Sequence, residues 1–406
     1  MEASFLIIQG YAELPLHEGK VPAYLFEKML MLGSLIANYI IEVYGPDELL
    51  SRLSDPVWFQ GFNNVIGMDW NSSGSTTVVL YVLKRAFPQS NFNDTGLAVV
   101  GGKGKDAINT PREVEELRGD IDKESIIRAS RLSAKIDGVA LQDDYQLYIH
   151  GLVLSSSNKL LVIQQGMNPN NKLARRYHLL INDPHTITAE RDPHTAVASI
   201  SIAPALNLVD QGSLDARRAI LDILVSSSQE SLYRDILTVN RVLRGVKGID
   251  EFLGKTSVLT IKNIDKSRCP SYYRAITNFE RVAKAAAELK KESPNNFDEL
   301  LLTRGAGPET VRALALVSHL IYGYEPSFRD PTTHPIDPFI YAYAHGGKDR
   351  VPYKINVRRI EKTIEFFQDV LNNIKAGNKE KEEIAKNLAN MVNRLIIKGI
   401  IPKIEK

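Results

Sequence analysis

Acidic and polar side chains gather around one stretch in the first half of the sequence. The candidates for catalysis are Asp137, Asp143 and Asp144, which precede two β-rich runs, and His150 and Gln165, which lie within those runs. Neighbouring carboxylates bind Mg²⁺ or Mn²⁺, and the metal polarises a phosphate and activates water. Imidazole titrates near neutrality and therefore serves as a general base or a ligand. The set predicts a metal-dependent phosphodiesterase in which Asp137 and Asp143 hold the metal.

Three lysines are predicted to assist this chemistry. Lys135 lies just before the first aspartate, and Lys103 and Lys105 alternate with glycines in a segment expected to be a flexible loop. Ammonium groups neutralise the charge that develops on a phosphoryl group during transfer. A polar turn or a satisfied core histidine explains any single residue better than catalysis does, so the prediction depends on the cluster. The common nuclease core with a lysine on its second strand is not matched, because Gln164-Gln165 stands there.

A second pattern lies in the other half of the sequence, at residues 297–322. A short apolar run, a Gly-x-Gly turn and a second apolar run follow one another, which is the pattern of a helix-hairpin-helix. Glycine allows the tight turn, and the first N–H groups of the second helix can face a phosphate. Such contacts carry no base information, so binding follows shape and salt. The predicted contacts are Arg304, Gly305, Gly307, Thr310 and Arg312.

Further basic residues are expected to contact nucleic acid. They are Lys103 and Lys105 of the glycine-rich segment, Arg175 and Arg176, which lie beside an aromatic residue, and Lys348, which follows two glycines. Basic side chains next to a ring are typical of surfaces that bind single strands. Helix-hairpin-helix elements also occur in DNA glycosylases with a downstream catalytic aspartate, and Asp330 lies in a comparable place. A glycosylase is disfavoured, because Glu309 stands where the bifunctional enzymes have lysine and a single cysteine excludes an iron–sulfur cluster.

Hydrophobic periodicity assigns these residues to elements. In the first half it predicts helices over 22–44, 46–53 and 123–135, a helix that begins at Thr110, and strands over 97–100, 145–154, 159–165 and 197–202. Residues 76–84 are apolar and fit a strand or a buried helix. In the second half it predicts helices within 206–246 and over 274–291, 297–302, 308–322, 358–375 and 380–397. We therefore predict an α+β domain over residues 1–205, followed by an all-helical domain over residues 206–406 that contains the helix-hairpin-helix.

The two halves differ in charge. Residues 1–205 hold 18 Lys and Arg against 23 Asp and Glu, a net of −5, whereas residues 206–406 hold 32 against 25, a net of +7. A basic half beside an acidic one favours a nucleic-acid partner, although a mixed solvated surface gives the same totals. One cysteine excludes a disulfide framework, and no apolar run approaches the ~20 residues of a membrane span. With no signal peptide in view, we expect a cytoplasmic protein without a membrane partner.

Several segments taken together resemble domain-of-unknown-function family 763, which is found in archaea and thermophilic bacteria. They are GYAELPLHEGK at 10–20, SDPVWFQ at 54–60, GMDWNSSG at 67–74, GGKGK at 101–105, KID at 135–137, QDDYQLYIH at 142–150, QQGMN at 164–168, RRYH at 175–178 and AHGGKD at 344–349. The resemblance covers nearly the whole chain. It implies one intact protein of thermophilic type, and it transfers no catalytic assignment to these residues.

The leading hypothesis from the sequence is a DNA-processing enzyme. The helix-hairpin-helix delivers branched or damaged DNA to the acidic cluster, which makes the protein a structure-selective nuclease of repair or recombination that depends on Mg²⁺ or Mn²⁺. The first alternative is a non-catalytic DNA-binding protein whose N-terminal half recruits another enzyme. The second is a protein that binds or processes RNA with the same basic surface.

Overall fold

The computed structural model describes residues 23–66, 74–246 and 264–334. The central strands are β1 (Leu97–Lys103), β3 (Gln146–Ser155), β4 (Leu160–Met167), β5 (Ala174–Ile181) and β6 (Ala196–Ala198). They form an antiparallel sheet with the order β1-β3-β4-β5-β6. A small antiparallel sheet pairs β2 (Leu141–Gln142) with β7 (Leu206–Asn207). The predicted combination of helices with a sheet is thus confirmed.

Helices cover both faces of the central sheet. On one face lie α1 (Ala23–Tyr44), α2 (Pro46–Ser54), α3 (Pro56–Ile66) and α4 (Ser75–Ala86). On the other lie α6 (Lys105–Glu115) and α7 (Lys123–Lys135), which continues into a π-helical turn at Ile136–Ala140. The later helices pack against one another and, through α11 and α12, against α7 and the π-helical turn. They are α8 (Leu214–Ser226), α9 (Gln229–Leu243), α10 (Phe279–Glu292), α11 (Phe297–Leu302) and α12 (Pro308–Leu320). The short helix α5 (Phe92–Thr95) leads into β1.

The sheet is buried on both faces. Successive side chains of a strand point to opposite sides, so Val99 and Val153 pack against α1–α4 while Val100 and Leu152 pack against the opposite helices. Apolar residues at consecutive positions are the sequence signature of a strand that is covered on both faces. The sheet therefore has helices on both faces, and α8–α12 pack on α7 and the π-helical turn on one of these sides.

Residues of the second half share a core with the first. Ile220 of α8, Val239 of α9 and Leu314 of α12 belong to the same buried cluster as Ala98 and Val100 of β1. The division into domains at residue 205 stays a prediction. The helices predicted over 358–375 and 380–397 lie outside the described residues. None of the helices within the described ranges has the length and apolar character that crossing a membrane requires.

The predicted helices over 22–44, 46–53 and 123–135 and the β3–β4 hairpin are confirmed, and the ambiguous segment 76–84 is helical. Other local predictions are wrong. Residues 101–105, predicted as a flexible loop, complete β1 and begin α6. Because α6 begins at Lys105, Thr110 and Pro111 lie inside the helix and Thr110 is not its N-cap. Strands β5 and β7 were not predicted, and β6 is shorter than the predicted strand.

Candidate functional site

The chain reverses direction between α11 and α12, and we call residues 297–320 the glycine hairpin. Asn296 caps α11, because its side chain accepts a first-turn N–H at 2.9 Å. Gly305 has a φ of 99°, which favours glycine, and a Cβ at this position would lie 3.3 Å from the carbonyl oxygen of Ala285. Gly307 has a φ of −100°, and a Cβ there would meet open space. The turn therefore requires glycine at 305 and not at 307.

Lys135 joins α7 to the glycine hairpin. Its ammonium donates to the carbonyl oxygen of Ala306 at 2.7 Å, and the amide of Gln142 donates to the carbonyl oxygen of Pro308 at 2.8 Å. Burial lowers the pKa of Lys135, because desolvation disfavours the ammonium. The lysine that was predicted to assist catalysis at the acidic cluster thus holds the hairpin in place.

A cleft of about 680 Å³ opens beside the glycine hairpin, and we call it the hairpin cleft. Arg281 and Lys284 of α10 line one side of it, and Arg304 lines the other. All three side chains are exposed, and none of them forms an ion pair with another residue of the described ranges. Their positive charges are therefore available to an anion from solution.

The N-terminus of α12 opens into the same cleft. Proline occupies the first helical position, and Val311 donates the first intrahelical hydrogen bond, to Gly307, at 3.0 Å. The N–H groups of Glu309 and Thr310 thus have no acceptor within the helix, and both residues line the cleft. Together with the helix dipole, such groups favour a negative ligand. The side chain of Glu309 is negative, but it pairs with Arg274 at 2.5 Å and with Arg312 at 2.7 Å.

Arg312 does not contact the cleft, which corrects the sequence prediction. It is 1 % exposed, and it donates to the carbonyl oxygens of Tyr272 at 2.8 Å and Arg274 at 2.7 Å. Its guanidinium connects α12 to the segment before α10. The hydroxyl-bearing Thr310 lines the cleft, although most of the residue is buried, and its contact with nucleic acid stays a prediction.

The predicted catalytic residues His150 and Asp137 belong to one continuous chain of hydrogen bonds, which we call the polar chain. Its members in order are Ser130, His150, Gln164, Asp137, His194 and Asp192. The hydroxyl of Ser130 lies 2.8 Å from Nε2 of His150, and Nδ1 of His150 lies 2.9 Å from Oε1 of Gln164. The amide nitrogen of Gln164 donates to the Asp137 carboxylate. The polar chain begins at Ser130, which lines a cleft between α6, α7 and β3, passes through the interior and ends at the exposed Asp192.

His194 is the cation of the polar chain. Its Nε2 lies 2.6 Å from Oδ1 of Asp137 and its Nδ1 lies 2.6 Å from Oδ1 of Asp192, so each ring nitrogen carries a hydrogen. Burial disfavours the imidazolium, but the two carboxylates outweigh it and raise the pKa of His194 to about 10. Asp137 therefore has a protonated histidine as its counter-ion.

Asp143 lies in a separate ion-pair network with Arg175. The guanidinium of Arg175 contacts the carboxylates of Asp143 and Asp330, each at 2.8 Å. Tyr177 donates its hydroxyl to Asp143 at 2.7 Å. Arg175 is 1 % exposed, so it cannot reach a nucleic acid as was predicted, and Asp330 is its partner.

Asp137 and Asp143 do not fit a divalent metal. Each carboxylate is paired with a cation of the protein itself, His194 in one case and Arg175 in the other. Within the ranges that the structure describes, no group of three His, Cys, Asp or Glu side chains is placed to hold a metal ion. A metal at either aspartate would have to displace a buried cation, so no catalytic step is assigned to Mg²⁺ or Mn²⁺.

Gln165 and Arg176 face the opposite side of the sheet from the polar chain, because adjacent strand residues alternate. Gln165 contacts Thr76 and Tyr148. Arg176 is 8 % exposed and lies over the ring of Phe59 at 4.3 Å. Within the described parts of the chain it donates to neutral oxygens only. Both residues lie beneath α3 and α4, which corrects their predicted roles in catalysis and nucleic-acid contact.

The remaining predicted residues are dispersed. Asp144 is exposed, with a φ of 66°, at the start of the β3–β4 hairpin. Lys103 and Lys105 are exposed, and Lys103 lies 5.7 Å from the centre of the Tyr148 ring. Lys348 lies outside the described residues. The structure thus brings His150 together with Asp137, and it separates both from the other predicted catalytic residues.

Several functional candidates escaped the sequence prediction. Arg281 and Lys284 follow the three-residue spacing of one helix face, which is a detectable signal, but nothing local shows that this face meets the glycine hairpin. Ser130 lies within an ordinary amphipathic helix. His194 has no metal-ligand spacing to mark it, and its partner Asp137 is 57 residues away in sequence.

Comparison with known proteins gives a family without a described activity. A family model for a protein of unknown function, DUF763, matches residues 10–355. Neither the curated proteins nor the solved structures contain a match to the chain.

Proposed function

We propose that this chain, which belongs to the DUF763 family of proteins of unknown function, binds the phosphate backbone of DNA in the hairpin cleft. The observation that carries the proposal is the meeting of three exposed, unpaired cations with the N-terminus of α12 in one cleft. Cations and unsatisfied N–H groups are the two features that hold phosphates. The glycine hairpin then acts as a helix-hairpin-helix element.

The residues of the hairpin cleft have three different roles in the proposed binding. Arg281, Lys284 and Arg304 supply charge, the N–H groups of Glu309 and Thr310 supply oriented hydrogen bonds, and Lys135 fixes the turn by its bond to Ala306. None of these groups reads a base edge, so binding depends on shape and on ionic strength and not on sequence. A DNA-processing role in repair or recombination agrees with such binding, and branched duplexes are its first candidate substrates.

The test measures affinity by fluorescence anisotropy with labelled duplex, branched and single-stranded DNA and with RNA, across a series of salt concentrations. Neutralising three phosphates gives a log–log salt slope of about −2 to −3. The triple variant Arg281→Ala, Lys284→Ala, Arg304→Ala should lose most of this slope. The control is Arg118→Ala, which removes an exposed arginine that does not line the cleft. Equal affinity and slope in the triple variant and the wild-type protein would reject the proposal.

Variants of the two glycines in the glycine hairpin provide a second test of DNA binding. Gly307→Val adds a side chain where a Cβ has open space and φ needs no change, so it should obstruct the cleft in a folded protein. Gly305→Ala strains the turn itself, at about 1 kcal/mol or more. Tighter binding to RNA than to any DNA would favour the RNA alternative. Cleavage in the same assays, with Mg²⁺, Mn²⁺ or chelator, tests the nuclease prediction, which the paired aspartates do not support.

A further inference from the structure

A second cleft, of about 550 Å³, lies between α6, α7 and β3, and we call it the serine cleft. Its walls are mainly apolar, with Ile108, Leu147 and Ile149 among them. Ser130 and His150, the first two members of the polar chain, also line it. The proposed DNA-binding function uses neither of these residues.

The hydrogen bonds fix the tautomer of His150. The amide nitrogen of Gln164 donates to Asp137, so its amide oxygen faces Nδ1 of His150 and must accept a hydrogen from it. Nε2 of His150 therefore carries a lone pair, and the Ser130 hydroxyl at 2.8 Å donates to that lone pair. This is the arrangement of a nucleophile and a general base, in which a third group orients the imidazole.

Burial keeps the base neutral. Desolvation outweighs the hydrogen bond that His150 donates to Gln164 and lowers the pKa of His150, so the imidazole is neutral at pH 7 and can accept a proton. Gln164 is itself held by Asp137, whose charge is balanced by His194. The polar chain thus fixes His150 without placing a net charge beside it.

One cation lines the same cleft. Arg131 follows Ser130 on α7, its side chain is exposed, and it forms no ion pair within the described part of the chain. A guanidinium next to a nucleophile stabilises negative charge that develops on the substrate oxygen during attack. The serine cleft therefore contains a nucleophile, a base and a group for the oxyanion.

We propose that the serine cleft is a hydrolytic site for carboxylic esters with a small apolar acyl group, with Ser130 as the nucleophile. The apolar walls fit an acyl chain better than a phosphodiester, which would bring a permanent charge against Ile108, Leu147 and Ile149. A few polar groups in a mainly apolar cleft are also the composition of a small-molecule site.

The reaction proceeds in two balanced steps. Oγ of Ser130 attacks the carbonyl carbon while its proton passes to Nε2 of His150, and the oxyanion forms beside Arg131. The intermediate collapses, the carbon–oxygen bond to the alcohol breaks, and the leaving oxygen takes the proton from His150. Water then attacks the acyl-serine, His150 takes its proton and returns it to Oγ, and the carboxylic acid leaves.

The experiment treats the full chain with a fluorophosphonate probe, which replaces its fluoride with the oxygen of an activated serine, and locates the adduct by peptide mass spectrometry. We expect an adduct on Ser130. We also expect hydrolysis of p-nitrophenyl butyrate that Ser130→Ala and His150→Ala each reduce by at least about 100-fold. The matched control is Ser133→Ala, which removes another buried hydroxyl of α7 that does not line the cleft.

Each part of the proposal is contradicted by a different result of these assays. An unlabelled Ser130 in the folded wild-type protein overturns the proposal, and this measurement needs no variant to fold. Turnover of bis(p-nitrophenyl) phosphate without ester hydrolysis overturns the acyl substrate class. Equal ester hydrolysis by wild-type protein and Ser130→Ala overturns the nucleophile. The hairpin-cleft variants test the two proposals separately. We expect them to lose DNA binding and to keep ester hydrolysis.

Discussion

Arg175 and Arg176 are neighbours on β5, but they point to opposite faces of the sheet and have different partners there. Arg175 is buried between two carboxylates, which outweigh the cost of burial and raise its pKa. Arg176 is buried among neutral oxygens and the ring of Phe59, and burial lowers its pKa to about 10. A shift of one residue along β5 moves the arginine to the opposite face of the sheet. It thereby changes whether the buried charge has a carboxylate partner within the described structure.

The comparison shows why a basic motif does not identify a surface. The RRYH segment looks like a nucleic-acid contact, but both arginines are enclosed by elements that come from distant parts of the chain. The partners of Arg175 include Asp330, and the partners of Arg176 include Gln60 of α3. The exposed cations at the hairpin cleft have no such partners among residues 23–66, 74–246 and 264–334. Whether a cation is exposed and unpaired cannot be read from the sequence.

The largest expected effect separates the two arginines directly. Arg175→Met leaves Asp143 and Asp330 buried without their cation, which should lower the free energy of unfolding by about 3–5 kcal/mol. Urea unfolding followed by circular dichroism measures it. A loss no larger than that of Arg176→Met would contradict the comparison.

A pH series extends the comparison to His194, another buried cation that is paired with carboxylates on the same side of the sheet as Arg175. Its folded pKa of about 10 lies above the unfolded value of about 6.5, so its stabilisation is complete below pH 6.5 and is lost as the pH rises toward 10. We expect the wild-type protein to lose about 2–3 kcal/mol of unfolding free energy between pH 7 and pH 9 from this group. The variant His194→Gln should show a flatter pH dependence, and an identical slope in both proteins would reject the assignment.

Asp143→Asn sharpens the comparison by removing one of the two carboxylates at Arg175. Asp330 remains, so we expect a smaller loss of about 1–3 kcal/mol. The catalytic prediction from the sequence expects lost cleavage with unchanged stability. Thermal unfolding and nuclease assays on the same preparation therefore distinguish a structural carboxylate from a catalytic one.

Arg176→Met should have the smallest effect, within about 1 kcal/mol and of either sign. Methionine keeps the length of the side chain over Phe59 and removes a charge that no carboxylate of the described residues compensates. Differential scanning calorimetry beside Arg175→Met checks it. A loss above about 3 kcal/mol would show that the Arg176 charge is compensated after all.

The sequence predicted elements whose signals are local. Helix α7, the β3–β4 hairpin and the two helices of the glycine hairpin each have a clear period, a cap or a turn of their own. It missed β5, because four polar residues in a row conceal a strand that is buried on both faces.

The candidate sites were predicted less well than the elements. His150 and Asp137 were both chosen as candidates, and each forms a hydrogen bond with Gln164. Gln165 was chosen in place of Gln164, from which it differs by one residue and one face of the sheet. The counter-ions His194 and Arg175 come from other strands and loops. Their pairing depends on tertiary packing, which no local pattern contains.

The ion pair between Arg175 and Asp330 also bears on synthesis. The two residues are 155 positions apart, and ribosomes add about 5–20 residues per second. For about 10–30 seconds the nascent chain therefore holds β5 without the carboxylate that completes its network. During this interval the buried cluster that α8–α12 share with the sheet is also incomplete, so we expect the emerging chain to expose apolar surface until its second half arrives.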